Sequence, residues 1–159
     1  MLLEGRPTGL FTSNVELRLN GRSVGVVRAR WFSEGMDLEL GGHPVRFEKP
    51  SWLRSHFVLK DAEGNELGSA TLKGFFGLSW AMNLKSGEGS LERAGWFTTG
   101  YVLKQGSSIT ARVHVTGWFT REWQVVADDS LAAEDVLLIG LVYTTIRHRE
   151  SRRHHQHSG

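Results

Sequence analysis

The chain has 159 residues, of which 40% are hydrophobic and 23% are charged, and this predicts one soluble globular domain. It contains no cysteine, which excludes disulfides, thiolate catalysis and cysteine-ligated metal sites. Its net charge of +2 comes from the last thirteen residues, which contain Arg147, Arg149, Arg152 and Arg153 but only one acid. The body of the chain, residues 1–146, is nearly neutral. Nucleic-acid binding by the folded body is therefore not expected, since DNA-binding domains carry a basic surface.

The N-terminal segment predicts a cytoplasmic protein. Residues 1–10 include Glu4 and Arg6 and lack a continuous apolar stretch, so we expect no secretory signal. The longest apolar run, residues 136–143, is interrupted by Gly140 and is far shorter than the roughly 20 residues that cross a bilayer.

One motif recurs three times between residues 11 and 126, with a period of about 43 residues. Each copy contains an aromatic or apolar pair followed by an alternating segment and a glycine turn. The phenylalanines Phe32, Phe76 and Phe119 occupy equivalent positions, as do Leu53 and Phe97. Such agreement indicates a true internal repeat.

Each repeat reads as about four short strands. Apolar and polar residues alternate strictly in several segments, which is typical of strands with one buried face. Turns with glycine separate them, as at Asn20–Gly21 and Gln105–Gly106. The apolar residues expected to face inward are Val15, Leu17, Leu19, Met36, Leu38, Leu40, Trp80, Met82, Leu84, Ile109, Ala111, Val113 and Val115.

The third repeat ends in a predicted helix over residues 131–146 instead of a fourth strand. We interpret Asp128, Asp129 and Ser130 as its N-cap, and Glu134 and Asp135 as acids that suit the positive end of the helix dipole. Because the helix is apolar nearly all round, it should be buried on every side. We expect residues 1–146 to form one domain and residues 147–159 to form a disordered basic tail.

These elements together predict a mainly β fold: a closed antiparallel barrel of about 11 or 12 short strands in three repeats, wrapped around the apolar helix. The alternative is a β-trefoil, which also has three four-stranded units. The helix at the end of the third repeat favours the barrel.

This pattern resembles the tubby C-terminal-like superfamily, whose fold is shared by phospholipid scramblases and the LURP-one-related proteins. The resemblance lies in residues 57–68 (F-V-L-K-D-A-E-G-N-E-L-G), 117–123 (G-W-F-T-R-E-W) and 134–143 (E-D-V-L-L-I-G-L-V-Y). It covers about two thirds of the chain and implies membrane and lipid associations. Neither the paired basic residues of phosphoinositide-binding members nor the ligand spacing of a calcium loop can be matched to particular positions here.

Aromatic residues next to cations are the main candidate site. Such rings sit at headgroup depth while the cations meet phosphate, so these residues could form a lipid-binding rim. The alternative is that one member of each aromatic pair packs inside the barrel, and the regular spacing favours packing for most pairs. The candidate residues are Arg30, Trp31, Lys73, Phe75, Arg93, Trp96, Trp118 and Arg121.

Motifs for catalysis and metal binding are missing from the sequence. His43, His56 and His114 lie in different strands and are interpreted as structural, so we predict no enzyme and no cofactor. The histidines His154, His155 and His157 could ligate zinc or nickel, but a tail of this composition favours disorder, and we predict no metal site.

The sequence therefore predicts a non-enzymatic binding module for anionic lipid headgroups or a membrane surface. Two alternatives stay open: a protein-interaction domain that uses the basic tail, and weak non-specific nucleic-acid binding through that tail. In either case Arg147, Arg149, Arg152 and Arg153 would contact the partner.

Overall fold

The computed structural model describes residues 1–9, 14–28, 35–51, 55–73, 79–95, 100–117 and 119–157, with side chains as far as Glu150. Within these residues the chain forms twelve strands followed by a helix. The strands are β1 (Leu2–Pro7), β2 (Val15–Leu19), β3 (Arg22–Val27), β4 (Met36–Leu40), β5 (His43–Glu48), β6 (His56–Asp61), β7 (Glu66–Lys73), β8 (Ser79–Leu84), β9 (Gly87–Arg93), β10 (Tyr101–Gln105), β11 (Ser108–Val115) and β12 (Trp123–Ala127). The helix, α1, spans Ala133–His157.

The strands form one antiparallel sheet that follows the chain order and closes through β1. Successive strands pair from β4 to β12, then β12 pairs with β1, β1 with β2 and β2 with β3. The two edges, β3 and β4, face each other closely, because a Cβ added at Gly25 would lie 2.6 Å from Leu38 Cδ2. The sheet is therefore a nearly closed barrel with one seam between β3 and β4.

The first strand of the chain replaces the fourth strand that the third repeat lacks. The first two repeats supply β2–β5 and β6–β9, whereas the third supplies β10–β12 and then turns into α1. Because β1 pairs with both β12 and β2, it acts as the twelfth strand. The amino group of Met1 extends this pairing by donating to the Ala127 carbonyl at 3.0 Å.

A β-bulge recurs at the same place in each repeat. The pairing register shifts after Leu17 in β2, after Leu59 in β6 and after Leu103 in β10. All three leucines are fully buried, and each is followed by Arg or Lys. A bulge increases strand twist and bends the sheet, which suits the curved wall of a barrel. The sequence repeat therefore extends to the backbone geometry.

Helix α1 fills the barrel interior. Its residues 136–142 are all essentially inaccessible to solvent, as expected for a helix surrounded by strands. Glycines let the wall and the helix approach each other: a Cβ at Gly68 of β7 would lie 3.0 Å from Leu138 Cδ2, and one at Gly140 would collide with Leu3 of β1. The predicted barrel around an apolar helix is thus confirmed, and the β-trefoil is excluded.

Most residues predicted to face inward do so. Leu17, Met36, Leu38, Trp80, Met82, Leu84, Ala111 and Val113 are buried. The prediction is wrong for Ile109, which is 44% exposed, because it lies near the start of β11, directly after a turn.

The helix differs from its prediction at both ends. Asp128 and Ser130 form a turn before α1, in which the Asp128 carboxylate accepts hydrogen bonds from the Ser130 amide and hydroxyl. The cap is made instead by Asp135, whose carboxylate accepts a 3.1 Å bond from the amide of Ala132. At the other end α1 continues to His157 instead of stopping at residue 146.

Residues 147–157 are therefore helical, where the sequence predicted disorder. Arg, Glu and Gln are good helix formers, and adding a residue to an existing helix costs far less than starting one. Cations in the last turns also interact favourably with the helix dipole. Across the described residues, no helix is both long enough and apolar enough to span a membrane.

Candidate functional site

The barrel has two ends that differ in construction. The first, which we name the turn end, is where α1 begins; it carries the short turns that follow β2, β4, β6, β8 and β10. The second, which we name the exit end, is where α1 leaves the barrel at Arg147. Because the sheet is antiparallel, the six connections that follow the odd-numbered strands up to β11 all join strands at the exit end.

The charges are distributed unevenly between these ends. At the turn end acids outnumber bases by nine to six; the acids are Glu39, Asp61, Glu63, Glu66, Glu88, Asp128, Asp129, Glu134 and Asp135, against Arg18, Arg22, Lys60, Lys85, Lys104 and the amino group of Met1. At the exit end bases outnumber acids by eight to six; the bases are Arg6, Arg28, Lys49, Lys73, Arg93, Arg121, Arg147 and Arg149, against Glu16, Asp37, Glu48, Glu92, Glu122 and Glu150. The molecule is therefore polarised along the helix axis, in the sense that complements the helix dipole.

The predicted lipid-binding residues fall into two groups. Lys73, Arg93 and Arg121 are described, and all three lie at the exit end. Arg30, Trp31, Phe75, Trp96 and Trp118 lie outside the described residues; each belongs to a connection that joins strands at the exit end.

One aromatic side chain at this end is well exposed. Phe119 follows Trp118 in the connection between β11 and β12 and is 86% exposed. The sequence named this pair but placed Trp118 in the candidate site, since nothing in the pattern distinguishes the two positions. The expectation that one member of each aromatic pair packs inside the barrel stays a prediction for this pair, because Trp118 lies outside the described residues.

The first arginines of the predicted tail contact the barrel itself. Arg147 donates to the carbonyl of Arg121 at 3.2 Å, and its guanidinium carbon lies 5.8 Å from the Tyr143 ring centroid. Farther along α1, Glu150 pairs with Arg93 of β9 at 3.5 Å. These contacts hold the emerging helix against the rim. The side chains of Arg152 and Arg153 lie beyond those described.

Two tyrosines lie beneath this rim. The rings of Tyr101 and Tyr143 meet edge to face with centroids 5.8 Å apart, and Trp123 packs against Tyr143. Burial raises the pKa of both tyrosines above the usual value of 10.0, because it disfavours the phenolate. The hydroxyl of Tyr101 in turn raises the pKa of Arg93, which stays cationic.

A cavity of about 860 Å³ opens at the turn end. It lies between the turns after β2, β4 and β6 and the first turn of α1, beside the seam. Its apolar lining comprises Leu19, Val24, Leu40, Val45 and Leu67. The sequence did not indicate this cavity, because its lining comes from segments far apart in the chain.

The charged side chains of the cavity are mostly acidic. Glu39, Glu63 and Glu134 line it, and none of them pairs with a cation in the described part of the chain. The backbone amide of Asn65, and to a lesser extent that of Glu63, donates a hydrogen bond to the Asp61 carboxylate and lowers its pKa. The basic side chains of the lining are Arg22 and His43.

The three histidines predicted to be structural lie in different parts of the barrel and have different neighbours. The rings of His56 and His114 lie 2.8 Å from Thr71 Oγ1 and Gln124 Nε2, respectively, while His43 lines the cavity. Among the described residues no three His, Asp or Glu side chains cluster in a way that could hold a metal ion. The histidines at 154, 155 and 157 lie beyond the described side chains.

Comparison with known proteins finds no family model, no curated protein and no solved structure that matches the chain. The resemblance to tubby-like proteins therefore stays a prediction from the sequence.

Proposed function

We propose that this protein is a non-enzymatic module that binds anionic phospholipid surfaces through the exit end of its barrel. The observation that carries the proposal is the 86% exposure of Phe119, two residues before Arg121, whose carbonyl binds Arg147. An exposed aromatic ring gains by entering the headgroup region, and neighbouring guanidinium groups bind lipid phosphate.

The charge distribution supports this orientation. Basic residues near an anionic bilayer contribute about 1 kcal/mol each, and the effect falls off within a Debye length. With a small excess of bases at the exit end and an excess of acids at the turn end, the protein would approach such a surface with Phe119 and Arg121 leading. The opposite orientation would bring Glu63 and Glu134 towards the lipid and would be repelled.

The sequence of the chain between strands is in accord with the same end. The pairs Trp31–Phe32, Trp52–Leu53, Phe75–Phe76 and Trp96–Phe97 lie outside the described residues, and in the sequence each falls between two strands that are joined at the exit end. Tubby-like proteins are associated with lipids, so membership of that superfamily is part of the proposal.

Sedimentation with lipid vesicles tests the proposal. Vesicles of phosphatidylcholine alone would be compared with vesicles that also contain phosphatidylserine, at low and at high salt. We expect binding only to the anionic vesicles and a decrease with salt, because screening weakens the attraction. Phe119→Ser should weaken binding about tenfold, since the buried area of one aromatic side chain is lost.

Ile109→Ser provides a matched control, because Ile109 is also exposed but lies near the turn end. This variant should bind vesicles like the unaltered protein. Equal binding to neutral and anionic vesicles, equal losses in the two variants, or no binding at low salt would each overturn the proposal. Retention on DNA or on a protein without vesicle binding would favour the alternatives based on the arginines of α1.

A further inference from the structure

The cavity at the turn end has the size and lining of a small-molecule site. Its volume of about 860 Å³ lies within the range of roughly 300–1,000 Å³ that is usual for ligand pockets. Three turns and the start of α1 line it, and its other side is open to solvent. It lies at the opposite end of the barrel from Phe119.

The floor of this cavity is apolar and incompletely covered. Val24 and Val45 are buried, whereas Leu19, Leu40 and Leu67 are only half-buried although they pack against the core. A ligand with an apolar body would cover the three leucines and remove their exposed surface from water, which stabilises the complex.

The rim of the cavity favours a cation over an anion. Glu39, Glu63 and Glu134 have no cationic partner among the described residues, and Asp61 adds a fourth carboxylate. Arg22 offsets one of these charges, the positive end of the α1 dipole offsets about half of another, and His43 is the remaining basic side chain of the lining. An ammonium group at the rim would be attracted by the excess negative charge, whereas a carboxylate or phosphate would be repelled.

From this combination we propose that the cavity is a binding site for a small organic cation that carries an apolar body. The ammonium group lies at the rim, to which Glu39, Glu63 and Glu134 each contribute a carboxylate, and the apolar body lies against Leu40 and Leu67. The site is independent of the proposed membrane contact, so either proposal can fail without the other.

Titration with decyltrimethylammonium below its micelle concentration tests the site, followed by calorimetry and by the amide signals of the protein. Decyl sulfate has the same chain with the opposite charge, and tetramethylammonium has the charge without the chain. We expect decyltrimethylammonium to bind at least about tenfold more tightly than either, because it alone uses both the rim and the floor. The largest amide shifts should occur at Leu40 and Leu67.

Two double variants with the same change in net charge distinguish binding at the cavity from a general effect of the protein's charge. Glu39→Gln with Glu63→Gln removes two rim charges, and Glu88→Gln with Asp129→Asn removes two exposed charges of the same end outside the cavity. The rim variant should bind decyltrimethylammonium about thirtyfold more weakly, since it loses two surface charges at close range, each worth about 1 kcal/mol. The control variant should change affinity less than about twofold.

Equal affinity for decyl sulfate, or equal losses in the two double variants, would overturn the proposal. Thermal unfolding verifies that the variants fold. Because all four acids lack cationic partners among the described residues, the unfolding midpoints of the two double variants should match. Phe119→Ser should leave cation binding unchanged, which distinguishes failure of this site from failure of the membrane contact.

Discussion

The guanidinium carbon of Arg149 lies 5.6 Å from the centroid of the Trp80 indole ring. Trp80 is only 1% exposed and packs against Phe57, which stacks on Phe47 with centroids 5.4 Å apart. Arg149 also donates to Ser55 Oγ at 2.9 Å. These contacts join the part of α1 beyond the barrel to the aromatic core of the strands. They explain why the helix continues against the rim instead of ending at residue 146.

Replacing Arg149 with alanine should lower the free energy of unfolding by about 1–2 kcal/mol. The variant loses a cation–π contact and a hydrogen bond from a charged donor, each worth about 1 kcal/mol at a partly exposed site. Urea unfolding measures the change. Arg112→Ala is the control, because Arg112 is exposed on β11, and it should change stability by less than about 0.5 kcal/mol. Equal effects of the two substitutions would contradict a specific contact with Trp80.

The pKa shifts of Tyr101 and Tyr143 predict a loss of stability in alkali. Both pKa values are raised by burial, so the folded protein holds the phenolic protons more tightly than the unfolded chain. The free energy of unfolding should therefore be constant with respect to these groups below pH 10.0 and fall as the pH rises above it. The chain has only these two tyrosines, so the near-ultraviolet absorbance of tyrosinate reports them directly.

In the folded protein this absorbance should appear only above the pH at which it appears in urea. Coincidence of the two titration curves would show that the tyrosines are accessible and would contradict the described packing.

The barrel was predictable because its repeat is visible in residue type. The leucines Leu17, Leu59 and Leu103 mark the same inward position, and alternation along the strands follows directly from the burial of one face. The role of β1 was not predictable, since its partners β2 and β12 are specified by closure of the barrel and not by local pattern.

The candidate sites were less predictable, because they depend on contacts between distant segments. Asp128 and Asp135 both stand near the helix start, and only the approach of the turn after β8 shows which of them caps it. The cavity combines three turns and one helix, and no single segment carries its signal. The aromatic–cation pattern did indicate the exit end, but it could not distinguish Phe119 from Trp118.

Asp135→Asn should lower the free energy of unfolding by about 2–3 kcal/mol. The buried carboxylate of Asp135 accepts bonds from the amides of Lys85 at 2.8 Å, Ser86 at 3.2 Å and Ala132, and so joins α1 to the turn between β8 and β9. An amide side chain would present its NH₂ group to one of these donors and would lose the charge-assisted bonds. Denaturant unfolding measures the loss.

Asp129→Asn is the matched control for this prediction, because Asp129 is exposed and precedes the helix. It should leave stability within about 0.5 kcal/mol of the unaltered protein. If the two asparagine variants were equally stable, the carboxylate of Asp135 would not be what fixes the helix to the turn.

Gly5→Ala should destabilise the protein even though alanine is normally favoured over glycine within a strand. Gly5 is opposite Trp123 in the register of β1 and β12, and an added Cβ would lie 2.7 Å from the indole nitrogen and closer still to the ring carbons. The ring has no room to move, because it is 2% exposed and contacts Tyr143 edge to face at 5.1 Å. Overpacking of this kind costs about 1–3 kcal/mol.

The sign of the change in the free energy of unfolding distinguishes overpacking against Trp123 from an effect on the entropy of the unfolded chain. If Gly5 had free space, alanine would stabilise the protein by roughly 0.5–1 kcal/mol through a less flexible unfolded chain. A double-mutant cycle with Trp123→Leu locates the cause. The smaller leucine side chain leaves room for the new methyl group. The loss of stability in the double variant should therefore be smaller than the sum of the two single losses by about 1 kcal/mol or more. Additive losses would show that the indole of Trp123 is not the group that excludes a side chain at position 5.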